Sequence, residues 1–326
     1  MKQHKAGFLT ASLKALVQVV GRVSGRYNWN LTYRAFQWAD LSGRRHMLWR
    51  WCGEDQVISI TFQREGITWT TTIPSVIGQE LFLEGHFHGP AVSAVLAWMK
   101  HAGILSSHRT LFVDVGANIG TTCIPVVRAS DCIALAIEPT SENYRLLKRN
   151  VHDNRLDDRI FLAKKAVLSE PGKVRMRLSV DNPGSNYVDR LDAKAGQNYE
   201  EVEADTLTGI LAAYGFNSEQ VAFVWADIQG CEGELIASSG DLWSRGVALW
   251  AEIEPHSLEK QGTLDTIEAI AAEHFDRFIQ EKDLLHFGLE ARQIPVSGLG
   301  KLMRELPWGH ESSVLLLPPA LKSRRT

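Results

Sequence analysis

The run Asp114-Val115-Gly116-Ala117-Asn118-Ile119-Gly120 lies where an apolar stretch, Leu111 to Val115, ends. If that stretch is the first strand of an alternating unit, the turn into the next helix admits a ligand against the backbone only where side chains are small. A dinucleotide fingerprint would read G-x-G-x-x-G and clear room for a pyrophosphate at the helix N-terminus. Here Ala117 and Asn118 replace that spacing, and Asp114 adds a carboxylate that repels pyrophosphate and suits a cation. S-adenosylmethionine has a sulfonium, an ammonium and no phosphate, so charge selects it over NAD. Glu138 follows 24 residues after Asp114, near the roughly 20-residue offset at which an acid reaches ribose hydroxyls in such units. Its structural alternative is a helix-start charge before Pro139.

Further chemistry gathers at two later apolar runs. Asp227 follows Ala222 to Ala226, while Glu252, Glu254 and His256 close or follow Leu249 to Ile253. Residues two apart in a strand share a face, so Glu252 and Glu254 are expected to point together. Imidazole titrates near neutral pH, which makes His256 the general-base candidate by chemistry, beside Asp227 and Glu254. Asp205, Asp227, Glu254 and His256 offer a second scheme, a divalent ion that acidifies an acceptor hydroxyl. Their spacing is not diagnostic and no metal ligand is assigned. His86-Phe87-His88, before Gly89-Pro90, reads as turn chemistry rather than as a metal pair.

The elements that must hold these residues alternate between strand and helix. Strands are expected at Leu111–Val115, Ile133–Ile137, Ile160–Ala166, Val221–Trp225, Val247–Ile253 and Ser313–Leu317, with helices near 118–128, 141–152, 232–238 and 264–275. Such alternation predicts a mostly parallel sheet covered on both faces, with ligands at the carboxyl ends of its strands. Val174, Met176 and Leu178 after Glu170-Pro171-Gly172 suggest an antiparallel insertion, and residues 181–198 read as a polar loop suited to acceptor choice. Upstream, residues 57–73 suggest a hairpin turning at Glu65-Gly66. The chain divides near residue 105 into an N-terminal extension, 1–104, and a main domain, 105–326.

Composition is that of a globular protein: 326 residues, 44% hydrophobic, 22% charged, net charge -3. So small a charge argues against nucleic acid as a partner. The first fifty residues nonetheless carry nine Lys or Arg against one acid, Asp40, with Trp29, Trp38 and Trp49 interleaved. This start suits either a helical appendage or peripheral contact with an anionic membrane. The segment Phe8 to Val23 is interrupted by Lys14, Gln18, Gly21 and Arg22, short of the roughly 20 apolar residues of a spanning helix, and makes a poor signal peptide. Four cysteines without metal-type pairing suit reduced thiols and a cytoplasmic setting.

Taken together, FVDVGANIG, AIEPTSENYRLLKRNV, ADTL and WADIQGCEGEL resemble the FkbM family of class I methyltransferases over roughly residues 77–256. The resemblance implies a Rossmann-like sheet with an antiparallel last strand. It also implies S-adenosylmethionine as cofactor and methyl transfer to a hydroxyl of a sugar, glycan or natural product. Carried over by position, Asp114, Gly116, Asn118 and Gly120 would line the methionine part and Glu138 the ribose, with Ala117, Pro139 and Ala166 completing the cofactor shell. Asp227 would sit beside the transferring methyl. Where the family commonly has a lysine two residues before this aspartate and often a glutamate two after it, this chain has Trp225 and Gln229. A non-catalytic binding module and a nicotinamide-dependent oxidoreductase are the alternative readings.

Overall fold

In the computed structural model, described over residues 29–52, 58–73, 75–104, 110–179, 182–190, 198–307 and 309–319, the chain opens with α1 (Trp29–Trp38) and α2 (Leu41–Cys52). The segment at residues 8–23, and residues 181 and 191–197 of the expected acceptor loop, lie outside the described residues. A hairpin follows, β1 (Ile58–Arg64) and β2 (Ile67–Ile73), turning at Glu65 and Gly66, both with positive φ (51° and 77°). Next come α3 (Val76–Leu83), started by the Ser75 side chain accepting from Gly78 N, and α4 (Gly89–His101), with Pro90 in its first turn.

The central unit then runs β3 (Leu111–Val115), α5 (Cys123–Arg128), β4 (Ile133–Ile137), α6 (Ser141–Asp153) and β5 (Ile160–Ala163). An insertion forms a small sheet from β6 (Ala166–Val167), β7 (Gly172–Arg177), β8 (Tyr187–Val188) and β9 (Tyr199–Asp205). Alternation resumes with α7 (Leu207–Ala213), β10 (Val221–Ala226), α8 (Glu232–Ser238), α9 (Gly240–Ser244), β11 (Ala248–Ile253), α10 (Pro255–Gln261) and α11 (Ile267–Ala272). The chain ends in β12 (Arg277–Gln280), α12 (Glu281–Phe287), β13 (Ile294–Pro295), α13 (Leu299–Glu305) and β14 (Ser312–Leu317).

The main sheet has the order β13-β12-β14-β11-β10-β3-β4-β5. Strands β5, β4, β3, β10 and β11 pair in parallel, and β14 inserts antiparallel between β11 and β12. This mostly parallel sheet, with β14 and the short edge strand β13 reversed, contains the antiparallel strand of the class I methyltransferase architecture that the resemblance implies. The all-parallel 3-2-1-4-5-6 dinucleotide sheet has no such strand. Side-chain alternation divides the core into two layers. Phe112, Phe223, Trp225 and Trp250 face Leu81, Val95, Met99 and Ile124, whereas Val113, Val224 and Leu249 face Leu211, Leu235, Ile267 and Leu302. The elements before residue 105 therefore supply much of one covering layer.

Two amides, Asn150 on α6 and Asn154 at its C-cap, complete that layer. Asn150 Oδ1 accepts from Thr70 N at 2.6 Å, while its Nδ2 donates to Thr70 O and to Ile119 O at 3.1 and 2.9 Å. One turn on, Asn154 repeats the pattern with Thr68 N and O at 2.9 and 2.7 Å. The two side chains stand in for a neighbouring strand, satisfying the backbone edge that β2 would otherwise bury unpaired.

Several expected boundaries shift for identifiable reasons. The expected strand Ile160–Ala166 splits at Lys164-Lys165, which pair with Glu200 and Asp205 at 3.3 and 2.8 Å and turn the chain into the small sheet. The helix expected from Asn118 starts only at Cys123, because Asn118 and Gly120 have φ of 51° and 95°. Among the described residues, no helix is long and apolar enough to cross a membrane.

Candidate active site

The carboxyl ends of β3, β4 and β10 meet in a cleft of about 570 Å³ counted with its open mouth. Its floor is shaped by one close approach. Asp227 N donates to Val115 O at 3.0 Å, which brings the loop after β10 under the loop after β3. A Cβ on Gly116 would lie 1.9 Å from Asp227 O, and Gly116 has φ of 84°, so both space and conformation require glycine there. The amides of Gly116 and Ala117 both donate to Ile137 O at 3.0 Å, locking the glycine loop to β4.

Glu138 closes β4 and lines the cleft beside Val115, Ile137 and Pro139. Its Oε2 accepts from Asn118 N at 3.0 Å; its Oε1 accepts from Thr140 N and Thr140 Oγ1 at 2.9 and 2.6 Å. Burial raises its pKa to about 7 against the opposing pull of these hydrogen bonds. The opposite wall belongs to the insertion: Met176, Val188 and the turn Pro183-Gly184, which Asn143 Nδ2 anchors through Pro183 O at 3.1 Å. Lys165, Ala166 and Val167 close the far end.

A second cavity, about 410 Å³ with its opening, adjoins the first and shares Gly116, Asn118 and Asp227 with it. Trp225 and Trp250, in register on neighbouring parallel strands, stack at 4.7 Å along one side. Ile77, Phe87 and His88 come from the N-terminal extension, and Glu252 and Ser313 complete the polar rim. Gln229 Nε2 donates to Asp227 Oδ1 at 2.9 Å and to Glu252 Oε2 at 3.1 Å, so one amide bridges two carboxyl groups. Burial, with Asp227 alongside, pushes the Glu252 carboxyl well above the usual range. Behind them Glu232 accepts from Ile228 N and Gly230 N at 3.0 and 2.9 Å and fixes the loop; burial brings its pKa to about 7.

Of the residues singled out in the sequence, Gly116, Asn118, Glu138, Pro139, Ala166 and Asp227 line the cleft. Asp114, Ala117 and Gly120 are buried beneath it. The Asp114 carboxylate is 1% exposed and accepts from Cys123 N at 3.0 Å, capping α5; burial chiefly, then Asp227 and Glu138 nearby, raises its pKa to about 7. Asp114, expected from its charge to meet the donor, thus touches no open space in the cleft. Gly120 serves the turn instead, since its φ of 95° would strain any residue bearing a side chain.

Glu254 and His256 are not brought to either cavity. The strand ends at Ile253, so Glu254 does not share a face with Glu252 but caps α10, accepting from Ser257 N at 2.7 Å and from Ser257 Oγ. His256 lies on α10 with its Nδ1 3.9 Å from Glu259. Asp205 pairs with Lys165. Among the described residues, no three His, Cys, Asp or Glu side chains converge to hold a metal ion. Sequence reasoning missed Asn143, Met176 and Val188, which reach the cleft only through the insertion's return. It noted Trp225 only as the residue standing in place of a lysine and did not single out Trp250, although indoles at matching positions of two strand ends were a legible signal.

The Methyltransferase FkbM domain model matches residues 114–283, more than half of the chain. No curated protein matches in sequence. The fold is similar to that of M. jannaschii TYW2 in complex with AdoMet, at 10% identity and a TM-score of 0.40, covering 81% of this chain and 87% of that one. P. horikoshii TYW2 in complex with MeSAdo aligns at 14% identity and TM-score 0.38, over 81% and 71% of the two chains. Geranyl diphosphate C-methyltransferase from Streptomyces coelicolor A3(2) aligns at 11% and 0.35, over 70% and 75%. The glycine loop, Glu138 and the Asp227 step all fall within the matched span, and β14 sets the nicotinamide reading aside. The chain belongs to the FkbM family and is a class I, S-adenosylmethionine-dependent methyltransferase.

Proposed function

We propose that the chain methylates a hydroxyl oxygen on a sugar, glycan or small natural product. The observation that carries this reading is the shared rim of the two cavities at Gly116, Asn118 and Asp227. A displacement at carbon needs donor and acceptor on opposite sides of the transferred group, held in line. The first cleft suits S-adenosylmethionine in chemistry: apolar walls at Ile137, Val167 and Val188 for a purine, and the buried Glu138 carboxyl for ribose hydroxyls. When bound there, the donor supplies an electrophilic methyl group on a positively charged sulfur. Asp227, between the cavities, favours that charge and orients the acceptor oxygen. No divalent metal and no nucleic acid partner is needed. The buried free thiols of Cys123, Cys132 and Cys231 support a reducing, cytoplasmic setting.

Incubating the protein with methyl-labelled donor and the small-molecule fraction of a cell extract is expected to give a product one methyl group heavier by mass spectrometry. Asp227→Asn is expected to lower transfer at saturating donor by about 10²-fold or more. Donor binding without transfer to any fraction would favour a non-catalytic binding role instead.

A further inference from the structure

We propose that His88, contributed by the N-terminal extension, is the base that takes the acceptor's proton, an inference that rests on the methyl-transfer reading above. His88 lines the second cavity with Asp227 and Glu252 and is absent from the lining of the donor cleft. A base placed there can withdraw a proton from the acceptor side without competing for the donor.

Three observations single out this residue. His88 has φ of 55°, the left-handed region that few residues other than glycine enter. That conformation stands at the N-cap of α4, yet the imidazole makes no capping hydrogen bond. Among the described residues, its ring contact is with the edge of Phe87, at 4.2 Å between centroids. The left-handed backbone is therefore not explained by a side-chain cap, and the residue that holds it lines the cavity.

The other groups on that wall have different tasks. Asp227 borders both cavities, and its Oδ1 accepts from Gln229, so its charge lies where the donor's sulfur must approach. Glu252 is held by the same amide, and burial beside Asp227 pushes its carboxyl well above the usual range. The imidazole of His88 is the remaining side chain on that wall with a ring nitrogen that can accept a proton. In the step, the acceptor oxygen forms its bond to the methyl carbon as the carbon–sulfur bond breaks. The bonding pair stays on sulfur, and the hydroxyl proton passes to the imidazole, then to water through the open side of the cavity.

His88→Asn tests the proposal without a folding ambiguity, because asparagine tolerates the left-handed backbone and cannot act as a base. Transfer is measured with labelled S-adenosylmethionine on a panel of neutral methyl glycosides and on extract fractions. The expected result is a drop in kcat of about 10²-fold or more, with donor affinity by calorimetry unchanged. His88→Gly should lose activity equally, unfold at a higher temperature because the strain is removed, and recover part of its rate with added imidazole. His86→Asn should behave as the unaltered protein. Retention of kcat within threefold in His88→Asn, or a loss explained by weaker donor binding, would overturn the assignment. Absence of donor binding and of transfer in the unaltered protein would instead count against the methyl-transfer reading itself.

Discussion

Gly116→Ala is expected to abolish donor binding and to destabilise the fold more than any other single change in the glycine loop. The added carbon would lie 1.9 Å from Asp227 O and 2.9 Å from Asp227 C, both backbone atoms that no side-chain rotation can relieve. The residue would also have to hold φ of 84°. Relief requires parting the loop after β3 from the loop after β10, which breaks the 3.0 Å bond from Asp227 N to Val115 O and separates the two cavities' common rim. Overpacking of this kind costs about 1–3 kcal/mol, and the conformational strain adds about 1–2 kcal/mol. The sum corresponds to a melting temperature lower by roughly 5–15 °C in a chain of this size. Differential scanning calorimetry with and without S-adenosylmethionine checks it: a stable variant that still shifts on adding donor would contradict the geometry.

The second large effect concerns pH. Asp114, Glu138 and Glu232 are each raised to about 7, in every case by burial first. A carboxyl whose folded pKa exceeds its unfolded value binds more protons in the folded state between those two values. Stability is then fullest below about pH 4 to 4.5, falls as pH rises toward 7, and has lost the whole contribution above it. A displacement of this size in one group is worth on the order of 3 kcal/mol. The ligand-free protein is therefore expected to melt several degrees lower at pH 8 than at pH 5, the reverse of a protein whose carboxylates are held by ion pairs. Glu138→Gln removes one titrating group while keeping an oxygen for Asn118 N, and it should flatten the slope. A melting temperature that rises from pH 5 to pH 8 would show that these carboxyls are solvated and charged in the fold.

Much of this arrangement was legible in residue order, and its limits follow from chain connectivity. The glycine loop could be placed because Leu111–Val115 is a short apolar run with a turn after it, and local patterns of that length survive folding. Glu138 was found by an offset along the chain. Asp114 was misread because the sequence shows its charge but not its depth, and depth decides whether a carboxylate meets a ligand or caps a helix. Glu254 was misjudged through one boundary: with the strand ending at Ile253, alternation no longer applies to the residue after it. The second cavity depends on Phe87 and His88 arriving from well over a hundred positions before Asp227. No period or spacing encodes that meeting, which follows from α4 covering the face of the sheet that carries Trp225 and Trp250.

The cleft between Glu138 and the insertion is expected to hold the methyl donor. Isothermal calorimetry with S-adenosylmethionine, on the unaltered chain and on Glu138→Ala, tests it most directly. Saturable one-site binding is expected, weakened about 10- to 100-fold in the variant by the loss of hydrogen bonds to one charged partner, with no heat from NAD. Equal donor affinity in Glu138→Ala, or binding of NAD in place of S-adenosylmethionine, would contradict it.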